Sequence, residues 1–94
     1  MTTHYSIERQ LSRRFSPMAR FRMARGLRQY DVALRADLHE TTVGKAETGE
    51  RLATPHQARQ IARGLRTTLA QVRLLLAQSR NWARRSAEGR GRKS

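Results

Sequence analysis

A chain of 94 residues holds one small domain with one modest core, which excludes a separate catalytic domain. Twenty Lys and Arg against seven Asp and Glu give a net charge of +13, an excess that implies an anionic partner, either nucleic acid or an acidic membrane surface. Eighteen of the twenty are Arg, whose planar fork suits phosphates and guanine edges, so nucleic acid is favoured. With no Cys there is no disulfide or thiolate metal site, which suits a reducing cytoplasm. The opening MTTHYSIERQ lacks the apolar run of a signal peptide, and the longest apolar run, residues 74–77, is too short for a bilayer. A cytoplasmic protein with no membrane partner is expected.

Residues 1–15 read as an N-terminal extension, in which Ile7, Leu11 and Phe15 fall four apart and suit a short helix laid on the core. Ser16-Pro17 is an N-cap followed by Pro at the first helical position. Met18, Phe21 and Ala24 follow at one-turn spacing, and Gly26 stops that helix. Gln29 to Ala36 reads as a short helix with Val32, Ala33 and Ala36 on one face, Ala33 being small enough for a close helix crossing. A turn at residues 37–39 follows, with Leu38 filling the gap between helices. The next helix, about Glu40 to Thr48, turns Val43, Ala46 and Glu47 inward. Glu40, Thr41, Gly44, Lys45 and Thr48 face outward, and Gly49 ends it.

Thr54 and Gln57 form a capping box, and Ala58, Ile61, Ala62 and Leu65 follow at helical spacing. A second box, Thr68 with Gln71, opens a helix whose expected inner face is Leu69, Val72 and Leu76. No alternating β-branched run occurs, so the class is all-α, with five helices in a domain over residues 16–78. Residues 78–94 carry six basic residues and one acidic, with little apolar content after Trp82. Residues 79–94 therefore read as a basic tail, mobile at least beyond Ala87.

Taken together, Gly26-Leu27-x-Gln29, Val32-Ala33, Leu38, Thr42-Val43, Glu47-x-Gly49, Pro55 and Ala62-x-x-Leu65 resemble the phage repressor, Cro-like and xenobiotic-response-element helix-turn-helix family. The resemblance covers roughly residues 20–72 without gaps. It implies a compact repressor-like fold whose second motif helix enters the major groove of double-stranded DNA. It also implies base contacts from Glu40, Thr41 and Lys45, with Gly44 beside them. Arg28, Gln29, His39, Thr48 and Arg51 then fall where backbone phosphates are met. Arg22 and Glu47 match an ion pair between the first and third helices of the family's domain. Glu40 has a plainer reading too, as a first-turn acid favourable to the helix dipole.

The chain departs from the family pattern at four places. Asp37 stands where Gly is preferred, which is costly if that residue needs φ > 0. Arg28 and His39 replace the Ser or Thr expected at two N-caps, and Gly44 costs about 1 kcal/mol of helix propensity relative to Ala. These predict a recognition helix that is marginal until DNA or a second subunit orders it.

His4, His39 and His56 are too scattered for a metal site, no nucleophile elbow or triad stands out, and no cofactor or small-molecule ligand is indicated. Leu34, Leu74, Leu75 and Trp82 have no assigned place in the core. Leu74, Leu75 and Trp82 either cover the N-terminal segment or form the interface of a homodimer on a palindromic site. The expected function is sequence-specific transcriptional regulation, as a repressor, in a bacterial nucleoid or phage-infected cell. An antitoxin using the same fold and a sequence-blind nucleic-acid binder are the competing readings.

Overall fold

The computed structural model describes residues 10–91, which among them form six helices and no strand. The first, α1, has its described part at residues 10–14; then come α2 Pro17–Ala24, α3 Gln29–Ala36, α4 Glu40–Glu47, α5 Pro55–Leu65 and α6 Leu69–Gly91. The count is thus six rather than the five expected. The added helix, α1, is anchored by the indole of Trp82, whose Nε1 donates to the Ser12 carbonyl at 2.8 Å. Ile7 and His4 lie outside the described residues, as do residues 92–94.

Local chemistry explains most helix boundaries. The Ser16 hydroxyl accepts from the Ala19 amide at 3.1 Å, and Pro17 occupies the first turn, where its missing N–H costs nothing. Thr54 and Gln57 exchange both bonds of their capping box, at 3.1 and 3.0 Å, ahead of Pro55. α2 ends at Gly26 with φ +70. α3 and α5 end instead on non-glycine residues in the left-handed region, Asp37 and Arg66, both at φ 57.

The core is centred on Met18, Val32, Val43, Ile61, Leu65 and Val72, all fully buried. α3 crosses α5 closely enough that a Cβ added at Gly64 would lie 2.6 Å from the Val32 carbonyl oxygen. Gly64 thus gives up helix propensity to let two backbones meet.

α6 differs from its expected form in two respects. Its buried face is Val72, Leu75 and Ser79, with Leu69 and Leu76 only partly buried against the core. The buried Ser79 hydroxyl accepts from the Met18 amide at 3.1 Å, a donor left free at the start of α2. Helix also continues past residue 78, where a tail was expected. Ser79, Trp82 and Ala83 keep it engaged: Ser79 holds α2, Trp82 holds α1, and the Ala83 Cβ lies 3.0 Å from a Cβ built at Gly49. Contacts every third or fourth residue outweigh the low apolar content that suggested a tail.

Candidate nucleic-acid interface

The site is built on α4 from its inner face outward. Val43, Ala46 and Glu47 are buried, which leaves Glu40, Thr41, Gly44, Lys45 and Thr48 on the remaining arc of the helix. Glu40, Thr41 and Thr48 are exposed, whereas Gly44 and Lys45 are half-buried.

A single buried carboxylate holds this helix in place. Glu47, with a side chain only 3% exposed, accepts from Arg22 Nε at 2.5 Å and Nη2 at 3.3 Å. The remaining Arg22 donor, Nη1, reaches the Leu27 carbonyl at 2.7 Å and so fixes the loop between α2 and α3. Gln29 Nε2 donates to Glu47 Oε1 at 3.1 Å. One acid therefore ties α2, α3 and α4, with each charge bidentate or hydrogen-bonded as burial demands. Gln29 was expected only at a phosphate; its tie to Glu47, 18 residues away, has no signature in the sequence. The Gln29 amide lies over Gly44, where an added Cβ would stand 3.5 Å from Nε2.

The two motif helices begin differently from each other. Arg28 offers no acceptor to the first-turn amides of α3, but Asp31 in that turn accepts from the Arg28 backbone N–H at 2.8 Å. The Asp31 carboxylate also takes the Arg28 guanidinium, Nε at 3.2 Å and Nη2 at 3.1 Å. These side-chain bonds, followed by the backbone N–H, hold Asp31 below the ordinary carboxylate range. The same pairing raises the Arg28 pKa above its ordinary value.

At α4 the expectation of a missing cap is corrected. His39 Nδ1 accepts from the Thr41 amide at 3.3 Å, so an imidazole does the work of Ser or Thr. That requires the neutral ring with its proton on Nε2. Asp37 sits at φ 57, ψ 46, the strained position its family departure implied, and its carbonyl accepts from Gln60 Nε2 at 3.4 Å.

Downstream, the Lys45 carbonyl accepts from the Glu50 and Arg51 amides at 3.0 and 3.2 Å and from the Thr48 hydroxyl at 3.3 Å. This turns the exposed Arg51 back beside the end of α4. Gly49, φ +75, rests on α6: a Cβ there would lie 3.0 Å from the Ser79 carbonyl oxygen and 3.1 Å from Arg80 Cα. α6 thus underlies the C-terminal end of α4, a support absent from the sequence reading.

The expected interface residues separate. Leu75 is only 5% exposed and belongs to the core, whereas Trp82 is half-buried with its indole N–H bonded to α1. Leu74 is 52% exposed, and Leu34, one turn from the exposed Tyr30 on α3, is 68% exposed. Among the described residues no group of acidic and histidine side chains could hold a metal ion. None of the described helices is long and apolar enough to cross a membrane.

In comparison with known proteins, the helix-turn-helix family model matches residues 18–72. No curated protein and no solved structure matches the chain.

Proposed function

Since the chain belongs to the helix-turn-helix family, whose motif serves DNA-binding regulators, we propose that it is a sequence-specific transcriptional repressor of Cro-like type reading the major groove with α4. The observation that carries this reading is the division of α4. Its inner face is locked through Glu47 to two other helices, while Glu40, Thr41, Gly44 and Lys45 share a face that packs on no core. A helix held in place through its inner face, with polar residues on its outer face and a strongly basic domain around it, is what base readout needs.

Roles follow from chemistry. Lys45 can donate to guanine O6 and N7, Glu40 can accept from cytosine N4, and Thr41 can contact a thymine methyl. Gly44 lies beside them, adding no side chain of its own beneath the Gln29 amide. Arg28, Gln29, His39, Thr48 and Arg51 are assigned to phosphates. His39 is well prepared for that role, because capping α4 through Nδ1 leaves Nε2–H to donate outward. Arg28 brings Asp31 with it, so its phosphate contact requires sharing or releasing that carboxylate. The arginines of α6 supply affinity that is salt-sensitive and indifferent to sequence.

A homodimer on a palindromic site completes the proposal, with the exposed Leu34 and Leu74 as candidates for the interface. Repression of this kind would take place on cytoplasmic DNA. The test is selection of bound sequences from a random duplex pool at near-physiological salt, with random duplex and structured RNA as competitors. Two related half-sites about 10 bp apart are expected. Equal retention of random duplex or RNA would refute sequence-specific reading.

A further inference from the structure

Away from the outer face of α4, the 51–55 loop, α5 and α6 enclose a groove of about 270 Å³. Its walls include Ala46, Leu52 and Leu76, and its rim carries Arg51, Arg73 and Arg80. Leu52 is 62% exposed on the lip of this concavity. A lone exposed leucine is ordinary, but one lining an apolar hollow marks surface that a ligand can dehydrate. No acidic side chain lines the groove, and among the described residues Arg51, Arg73 and Arg80 make no ion pair. Arg73 and Arg80 stand seven residues apart on α6, hence about two turns along one side of the hollow, with Arg51 contributed by the loop.

We propose that this groove binds a small amphipathic anion: a medium-length apolar chain ending in a carboxylate. The apolar walls take the chain, and the unpaired guanidinium groups at the rim take the carboxylate bidentately. The volume lies just under the range of about 300–1,000 Å³ usual for drug-sized ligands, so the occupant is small. Charge complementarity selects the anion over an alcohol of equal length, and the apolar walls select it over a bare anion.

The probe is sodium octanoate, titrated into the full chain without DNA and followed by backbone amide shifts. Saturable shifts are expected at Leu52, Ala53, Leu76 and Ala77. Each buried methylene tightens binding about fourfold, so hexanoate, two methylenes shorter, should bind about fifteenfold more weakly. Octanol and acetate should each bind at least tenfold more weakly than octanoate. Arg73→Gln, an exposed change, should weaken octanoate several-fold, and Ala77→Trp should abolish binding by filling the groove while leaving the unfolding temperature unchanged.

Octanol binding as tightly as octanoate would overturn the proposal, as would acetate binding equally well or shifts scattered over the chain. Shifts at the same residues on raising protein concentration alone would assign the groove to a second copy and also overturn it. Arg51 is shared with the proposed DNA face; because the titration omits DNA, its failure leaves the reading of α4 untouched.

Discussion

Two glycines inside helices should respond oppositely to the same change. Replacing either Gly44 or Gly64 by Ala adds about 1 kcal/mol of helix propensity. At Gly44 the new methyl meets only the flexible Gln29 amide, no closer than 3.5 Å, an ordinary contact. Gly44→Ala should therefore keep most of that gain and raise the unfolding temperature by about 4 °C. At Gly64 the methyl would lie 2.6 Å from the Val32 carbonyl oxygen, 3.0 Å from Val32 Cγ1 and 3.2 Å from Ala36 Cβ. The first of these is backbone within a packed helix, so α3 and α5 must move apart. Overpacking of this kind costs about 1–3 kcal/mol, and an approach of 2.6 Å to a backbone atom puts Gly64→Ala at the upper end. After the propensity gain, a net loss of about 2 kcal/mol is expected, or roughly 10 °C. Thermal and urea unfolding followed by circular dichroism measures both. Wild-type stability in Gly64→Ala would refute the close α3–α5 crossing, and a destabilised Gly44→Ala would refute an open outer face on α4.

Three further outcomes are expected. Glu47→Ala strands the Arg22 guanidinium, 12% exposed, and should cost about 3 kcal/mol in urea unfolding, with Glu47→Gln milder because it keeps an acceptor; a loss below about 1 kcal/mol would deny the pair its holding role. Asp31 is held below the ordinary carboxylate range, so its contribution to stability is complete above the unfolded-state value and lost as pH falls through the lowered one. The gap in unfolding temperature between wild type and Asp31→Asn should accordingly close on acidification below about pH 4, and a gap unchanged down to the unfolding limit would contradict the assignment. Replacing Arg84 and Arg85 together by Gln should weaken binding to all duplexes alike and reduce the slope of log affinity against log salt by up to about 1.8; a changed preferred sequence would contradict a purely phosphate role. Deleting residues 80–94 outright is a poorer test, because Trp82 and Ala83 support α1 and the Gly49 turn.

What could be read from the sequence was local. Ser16-Pro17 and Thr54-Pro55 announce helix starts because their bonds span three residues, and Val32, Ala33, Val43 and Ala46 declare an inner face by period alone. The consecutive leucines 74–76 defeat such reasoning, since a rotation of one residue decides which is buried, and Ser79 settles it for Leu75 by holding α2. α6 misleads for a related reason: its C-terminal half is polar enough for a tail, yet Ala and Arg favour helix and a few anchors suffice. The outer face of α4 was legible as a list of positions. What steadies it was not, because the Gln29–Glu47 bond and the Gly49–α6 contact join residues far apart in the chain. His39 as a cap was missed because histidine is judged by its usual role rather than by a lone pair that happens to face an amide.

The central claim is that α4 reads bases while the rest of the basic surface only holds the backbone. Its most direct test is to repeat the duplex selection with Lys45→Ala and compare base preferences position by position with wild type. The account predicts that discrimination relaxes by about 1–3 kcal/mol at one symmetric pair of positions, with the half-site spacing unchanged. An identical preference profile, weakened evenly across all sequences, would contradict it.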